Sequence, residues 1–185
     1  LARRGWQVQV LDQAAEPAAG ASGLPAGVFA PHVSPDDAVL SRLSRSGVRT
    51  TLQQASQRLQ AGQDWGPSGV LEHRTDGTPG LPADWHAGPG ADWTILAPES
   101  AREQAGLPPD AVACWHNRAG WIRPPQLVRA LLREPGVTWR GQCAVASMRP
   151  TPGADAAAPT EWQALDAQGQ VLAQAPVVVI AAGAG

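Results

Sequence analysis

The chain has 185 residues, of which 43% are hydrophobic and 16% charged, with a net charge of −2 at pH 7. That balance excludes the low-hydrophobicity, high-charge disordered class, and the longest apolar run, Pro176 to Ala184, is too short for a membrane-spanning helix. It also leaves no overall basic face, so contact with nucleic acid calls for a local patch or for another part of the protein. All 14 basic residues are Arg, Tyr is absent and Trp occurs 8 times, a bias that reads as a coding-composition effect. Cys114 and Cys143 form no CxxC and imply no disulfide framework, which makes a reduced, cytoplasmic setting the expectation.

LARRGW reads as the last turn of a helix, with Arg3 and Arg4 at the negative end of its dipole and Gly5 as the C′ residue. Trp6 to Asp12 follows as a short β-branched strand ending in an acid. The order helix, strand, acid is that of the second strand of a βαβ unit. Gly20-Ala21-Ser22-Gly23 is a small, polar loop. Ser34-Pro35-Asp36-Asp37 supplies a cap, a first-turn proline and two acids for a helix start. Leu40, Leu43, Val48, Leu52, Ala55 and Leu59 recur at helical spacing, predicting an amphipathic helix to about Ala61.

From Trp65 to about Ala111 the chain is rich in Gly, Pro, Asp and Trp. It predicts a strand near Gly69 to His73, turns at Asp76-Gly77 and Gly88-Pro89-Gly90, and a short helix from Pro98 to Ala105. Val112 to Trp115 reads as a strand. Pro124-Pro125 opens a helix with Leu127, Val128, Leu131 and Leu132 on one face. Val137 to Trp139 and Ala144 to Met148 read as strands, and Thr151 to Thr160 as a loop. Trp162 to Leu165 and Val171 to Ala173 read as a hairpin. Val177 to Ile180 is an unbroken β-branched run, the pattern of a parallel strand buried on both faces. Both ends read as cut, which makes the chain an internal piece of a longer protein.

Several residues are candidates for chemistry. An acid at the end of such a strand, here Asp12, accepts hydrogen bonds from ribose hydroxyls in dinucleotide-binding sheets; the plain alternative is a surface acid capping a turn. Gly20, Ser22, Gly23 and Gly27 allow close backbone approach to a phosphate or a flat ligand, or form only a flexible loop. Ala182 and Gly183 lie beyond a strand end, where open α/β sheets bind ligands. Trp121 is a candidate wall for a planar substrate, and Arg123 a candidate fork for a carboxylate. Cys114-Trp115-His116 has no second pair to complete a metal site and reads as a core cysteine beside a surface histidine; no metal is expected.

Taken together, RRGW with its strand and acid, GASGLPAGVFAPHVSPDD, AGWIRPPQLVRALL and VVVIAAGAG resemble the FAD-dependent oxidoreductases of the D-amino-acid oxidase superfamily. Within that superfamily the sequence is most similar to the oxidase domains of bifunctional enzymes that modify the wobble uridine of tRNA. The GASG-x-P-x-G segment followed by SPDD is the most specific part of the likeness. One departure is Leu24, where the family often carries Asn.

The resemblance implies an α/β fold: a partial Rossmann-like FAD-binding domain with a smaller mixed α+β substrate lobe. The FAD-binding domain would comprise residues 1–62, lacking an upstream strand and GxGxxG loop, and a returning segment, 123–185. Residues 63–122 would form part of the substrate lobe. It implies FAD as cofactor, with Asp12 at the adenosine ribose and Gly20, Ser22, Gly23 and Gly27 near the pyrophosphate and isoalloxazine. Val145 would meet the adenine through its backbone, and Ala182 and Gly183 would pass close to the cofactor. Trp121 and Arg123 remain candidates for the substrate.

The implied reaction is oxidation of a secondary amine by hydride transfer to the flavin. It would convert 5-carboxymethylaminomethyl-(2-thio)uridine to 5-aminomethyl-(2-thio)uridine with release of glyoxylate. The implied partners are tRNA and a fused upstream methyltransferase domain that uses S-adenosylmethionine; no membrane is involved. A free amino-acid or amine oxidase of the same superfamily, and a fragment unable to hold FAD, are the alternatives.

Overall fold

The computed structural model describes residues 1–152 and 159–183. It is a mixed α/β structure with one parallel and three antiparallel sheets among the described residues. Ala2–Arg4 form a 3-10 turn closed by Gly5 in the left-handed region, φ 85°, as the sequence predicts for a helix end. The strands and helices that follow are β1 (Val8–Leu11), β2 (Gly27–Phe29), α1 (Val39–Arg58), β3 (Trp65–Gly66), β4 (Val70–His73), β5 (Thr94–Leu96) and α2 (Glu99–Gln104). Then come β6 (Ala113–His116), β7 (Gly120–Ile122), α3 (Pro124–Leu132), β8 (Val137–Arg140), β9 (Ser147–Pro152), β10 (Pro159–Leu165) and β11 (Val171–Ala175). No described helix is long and apolar enough to cross a membrane.

The chain divides into two compact units. Leu1–Ser22 with Leu131–Gly185 form the first. Here β1 pairs in parallel with β8, Val8 facing Val137 and Leu11 facing Arg140. The antiparallel β11–β10–β9 sheet includes the predicted hairpin, whose turn is fixed by Asp166 Oδ1 accepting from the Gln168 and Gln170 N–H groups at 2.9 and 2.8 Å. Such self-bonding is why an Asp opens so many turns.

Two expectations for this unit are corrected. The loop predicted for Thr151 to Thr160 has strand at both described ends, because β9 and β10 pair as far as Pro152 and Pro159; residues 153–158 lie outside the described residues. Val177 to Ile180 is not a buried strand. It lies outside any strand or helix, with Val179 68% and Ile180 78% exposed. A β-branched run becomes a strand only against a neighbour's ladder of hydrogen bonds. Among the described residues β1 pairs with β8 alone and offers this run none.

Gly23–Ala130 form the second unit. Two three-stranded antiparallel sheets, β2–β7–β3 and β4–β6–β5, pack with α1 around two apolar clusters. Val33, Val48, Trp85 and Trp93 make one; Ala55, Trp65 and Ile122 make the other, joined by Leu127 of α3.

The start of α1 differs from the prediction. Ser34 Oγ and Asp36 Oδ1 both accept from the Ala38 N–H, at 3.1 and 3.2 Å, and this local turn delays the helix to Val39. Ser34 Oγ also bonds Ser41 Oγ at 2.8 Å, turning Ser41 inward. The buried stripe is therefore Ser41, Val48 and Ala55, seven residues apart, while Leu40 and Leu43 are exposed.

Candidate functional site

Asp12 follows β1 directly, and its half-buried side chain turns back on the loop. Oδ1 accepts from the Ala14 N–H at 2.9 Å. The Asp12 N–H donates to Arg140 O at 3.1 Å, and its carbonyl accepts from Cys143 N at 2.9 Å. The end of β1 is thereby fastened to the segment that leaves β8 and leads to Val145. Asp12 is thus bonded to Cys143, two residues before the candidate Val145. Val145 lies in an exposed stretch before β9, not within the strand predicted for Ala144 to Met148. Its neighbour Ala146 is the last residue tied to the sheet, donating to Leu165 O at 2.8 Å.

Gly20 and Ser22 complete the loop side of the same unit. A Cβ at Gly20 would meet nothing within 4 Å, so its backbone is open to an approaching group. Ala182 and Gly183 follow the exposed apolar run; Gly183 takes φ 70° and also has open space around it. Neither bonds to Asp12 or to Val145 among the described residues. An acid at a strand end and open glycine backbone in the same unit are the features a dinucleotide's ribose and phosphates call for.

The second unit gathers the other candidates. Gly27 on β2 faces Ile122 on β7, which places it between Trp121 and Arg123 in the ladder. Trp121 packs its indole on Gly66 of β3. Arg123 is exposed at the start of α3. Its N–H donates to Asp64 O at 2.7 Å, and its carbonyl accepts from Gln126 and Leu127. Arg123, Gln126 and Arg129 line an open hollow of about 280 Å³ with Pro25 and Pro125. Two arginines and a glutamine thus border one open hollow. Gln126 and Arg129 were not among the sequence candidates. Their signal was legible nonetheless, since positions 123, 126 and 129 share a face once Pro124 starts a helix. Gly23 lies at the head of this unit, in the 3-10 turn Ala21–Gly23.

A further polar cluster was misread. His116 is not a surface residue; it is 1% exposed. Its Nδ1 lies 2.9 Å from the buried Thr94 Oγ1, and its Nε2 lies 2.9 Å from Glu72 Oε2. Arg74 Nη1 donates to the other Glu72 oxygen at 3.1 Å. Cys114 is buried as predicted. Its thiol donates to Pro79 O at 3.3 Å, and burial, followed by the Glu72 charge, pushes its pKa up. Cys114 and His116 stand two apart on β6 and so share a face, which is why one cannot be core and the other surface. Each already has protein partners, in a way that serves the packing of the sheet.

Comparison with known proteins matches the geometry to a family. A model of the FAD dependent oxidoreductase family matches residues 1–185. The chain is 66% identical over its full length to the tRNA 5-methylaminomethyl-2-thiouridine biosynthesis bifunctional protein MnmC of Verminephrobacter eiseniae, covering 30% of that protein. It is 60% identical to the protein of the same name from Paracidovorax citrulli and 55% to that from Polaromonas naphthalenivorans, covering 29% of each. The chain spans about 30% of the length of these curated relatives. On the whole-chain match, this chain belongs to the FAD dependent oxidoreductase family.

Proposed function

We propose that the chain is part of an enzyme that oxidises the secondary amine of 5-carboxymethylaminomethyl-(2-thio)uridine at the tRNA wobble position, giving the aminomethyl nucleoside and glyoxylate. The observation that carries this reading is the 66% identity, over the whole chain, to a protein named for tRNA 5-methylaminomethyl-2-thiouridine biosynthesis. The substrate bears a carboxylate, and the arginines Arg123 and Arg129 bordering the open hollow supply the opposite charge that supports this reading.

Bound FAD supplies the electron acceptor for the C–N oxidation. The residues of this chain hold and orient. Asp12 would hold the ribose hydroxyls. Gly20, Ser22, Gly23 and Gly27 would offer backbone and hydroxyl donors to the phosphates and ring. Val145 would meet the adenine, and Ala182 and Gly183 would pass beside the cofactor. Arg123 fixes the substrate carboxylate, and Trp121 supports the wall behind it. By function, residues 1–62 and 123–185 serve the cofactor, except for Arg123, Gln126 and Arg129 at the substrate, and 63–122 serve the substrate, although 23–62 pack with the latter. The full protein carries a fused methyltransferase that uses S-adenosylmethionine to methylate the aminomethyl product. It works in the cytoplasm, in keeping with its tRNA substrate and two free cysteines.

The 185 residues contain no GxGxxG, and the expectation is that in isolation they fail to hold FAD. The test uses the full-length protein. Anaerobic mixing with tRNA bearing the carboxymethylaminomethyl group bleaches the flavin and releases glyoxylate. Bleaching by free glycine or sarcosine, with none by that tRNA, would overturn the reading in favour of a free amine oxidase.

A further inference from the structure

The chain is slightly acidic overall, yet α1 carries Arg42, Arg45, Arg49 and Arg58 and no Asp or Glu in twenty residues. Arg42, Arg45 and Arg49 are spaced by three and four, so they lie on one helix face. Two of them rest on tryptophans. The Arg45 guanidinium lies 5.3 Å from the Trp85 ring centre, and that of Arg49 lies 4.9 Å from Trp93. Arg118, in the turn between β6 and β7, reaches the same Trp93 ring at 5.1 Å. The two cations sharing Trp93 are thus within about 10 Å of each other.

Acids answer this charge only in part. Asp37 is taken up by Arg45 at 2.7 Å, and Asp36 by Ser34 and the Ala38 N–H. Asp92 lies 3.9 Å from Arg118, with both side chains about half exposed or more. Arg42 and Arg49 are exposed, and neither forms an ion pair among the described residues. A guanidinium stacked on an indole keeps its in-plane N–H edge free, and that edge is what a phosphate oxygen pair accepts from. The Arg118 turn is itself anchored, since Asn117 N donates to Trp93 O at 2.8 Å and Asn117 Nδ2 to Ala91 O at 3.0 Å.

We propose that Arg49 and Arg118, both over Trp93, with Arg42 on the same helix face as Arg49 and the Arg45–Trp85 pair beside them, form a phosphate-binding surface that holds the backbone of the RNA substrate. The inference rests on the tRNA reading above. Seven residues of helix rise about 10 Å, the length over which one strand of a duplex presents about three phosphates. Pre-stacked arginines lose less side-chain freedom on binding, which suits sequence-independent backbone contact.

The test measures tRNA affinity against salt for the full-length protein and for its Arg49→Gln/Arg118→Gln variant, with Arg149→Gln as a control cation on the β9–β10 hairpin. Flavin absorbance and thermal melting check the fold. The double variant should lower the slope of log affinity against log salt by about one per arginine, raise KM for tRNA and leave kcat at saturating tRNA unchanged. The control should leave the slope alone. If the wild type binds tRNA and the double variant keeps its slope, this inference fails and the tRNA reading stands. If the wild type binds no tRNA, both fail. A melted double variant would be replaced by Arg49→Lys/Arg118→Lys, which keeps the charge and loses the fork. It should weaken binding without changing the slope, and unchanged affinity there would overturn the proposal.

Discussion

The Trp121 indole rests on the bare backbone of Gly66 across the β3–β7 pair: a Cβ at Gly66 would stand 2.6 Å from Trp121 Nε1. The same pairing recurs at Gly69 under Trp115 and at Gly90 under Trp85. This lobe fills its small core by laying large rings on glycines. The composition bias toward Gly and Trp therefore has a packing use that its codon-level reading overlooks.

Gly120 is the most constrained of these positions. A Cβ there would overlap the Gly66 carbonyl oxygen, which is backbone and cannot turn aside, and would press on Phe29. Gly120→Ala should therefore destabilise the protein by about 1–3 kcal/mol, as over-packing does. Chemical denaturation of the purified full-length variant checks this.

His116→Ala would leave the fully buried Thr94 hydroxyl without its ring partner and would open a cavity beside it. The expected cost is about 2–4 kcal/mol, summed over an unsatisfied group and lost packing. Glu72→Gln should cost less, because that side chain is 42% exposed and an amide oxygen still accepts from Nε2. Equal losses in the two variants would contradict the assignment.

The Arg45 hydrogen bond and charge hold the Asp37 carboxyl below the ordinary value of 3.8. A depressed folded-state pKa contributes stability above 3.8 that is lost as pH falls through the lower, folded value. Asp37→Asn should therefore be less stable than wild type at neutral pH, with the gap closing below pH 3.8. Thermal melts across that range read it directly.

Arg123→Ala should raise KM for the carboxylate-bearing nucleoside roughly tenfold or more, while flavin content stays unchanged, since a lost charge-assisted hydrogen bond costs about 1.5–3 kcal/mol. Arg123→Lys should recover part of the loss, keeping the charge without the fork. An unchanged KM in the alanine variant would remove Arg123 from the site.

Much of the fold could be read from local signals. Pro124 with four apolar residues at helical spacing marked α3, and Val8 to Leu11 marked β1. β2, β3, β5 and β7 were not legible. They are two or three residues long, three contain a glycine, and so short a strand shows no alternation. The run Val177 to Ile180 carried a strong strand signal but lacks a neighbour among the described residues. The candidate site rests on residue types in a recognisable order. The Asp12–Cys143 backbone bond was not, because it joins segments 131 residues apart that only the β1–β8 register brings together.

The central claim is the wobble-uridine oxidation, and its most direct test is the nucleoside composition of tRNA from cells lacking the full-length gene. Mass spectrometry should show the carboxymethylaminomethyl nucleoside accumulating and the aminomethyl and methylaminomethyl forms disappearing, with both reversed on complementation. Unchanged levels of all three would contradict the account.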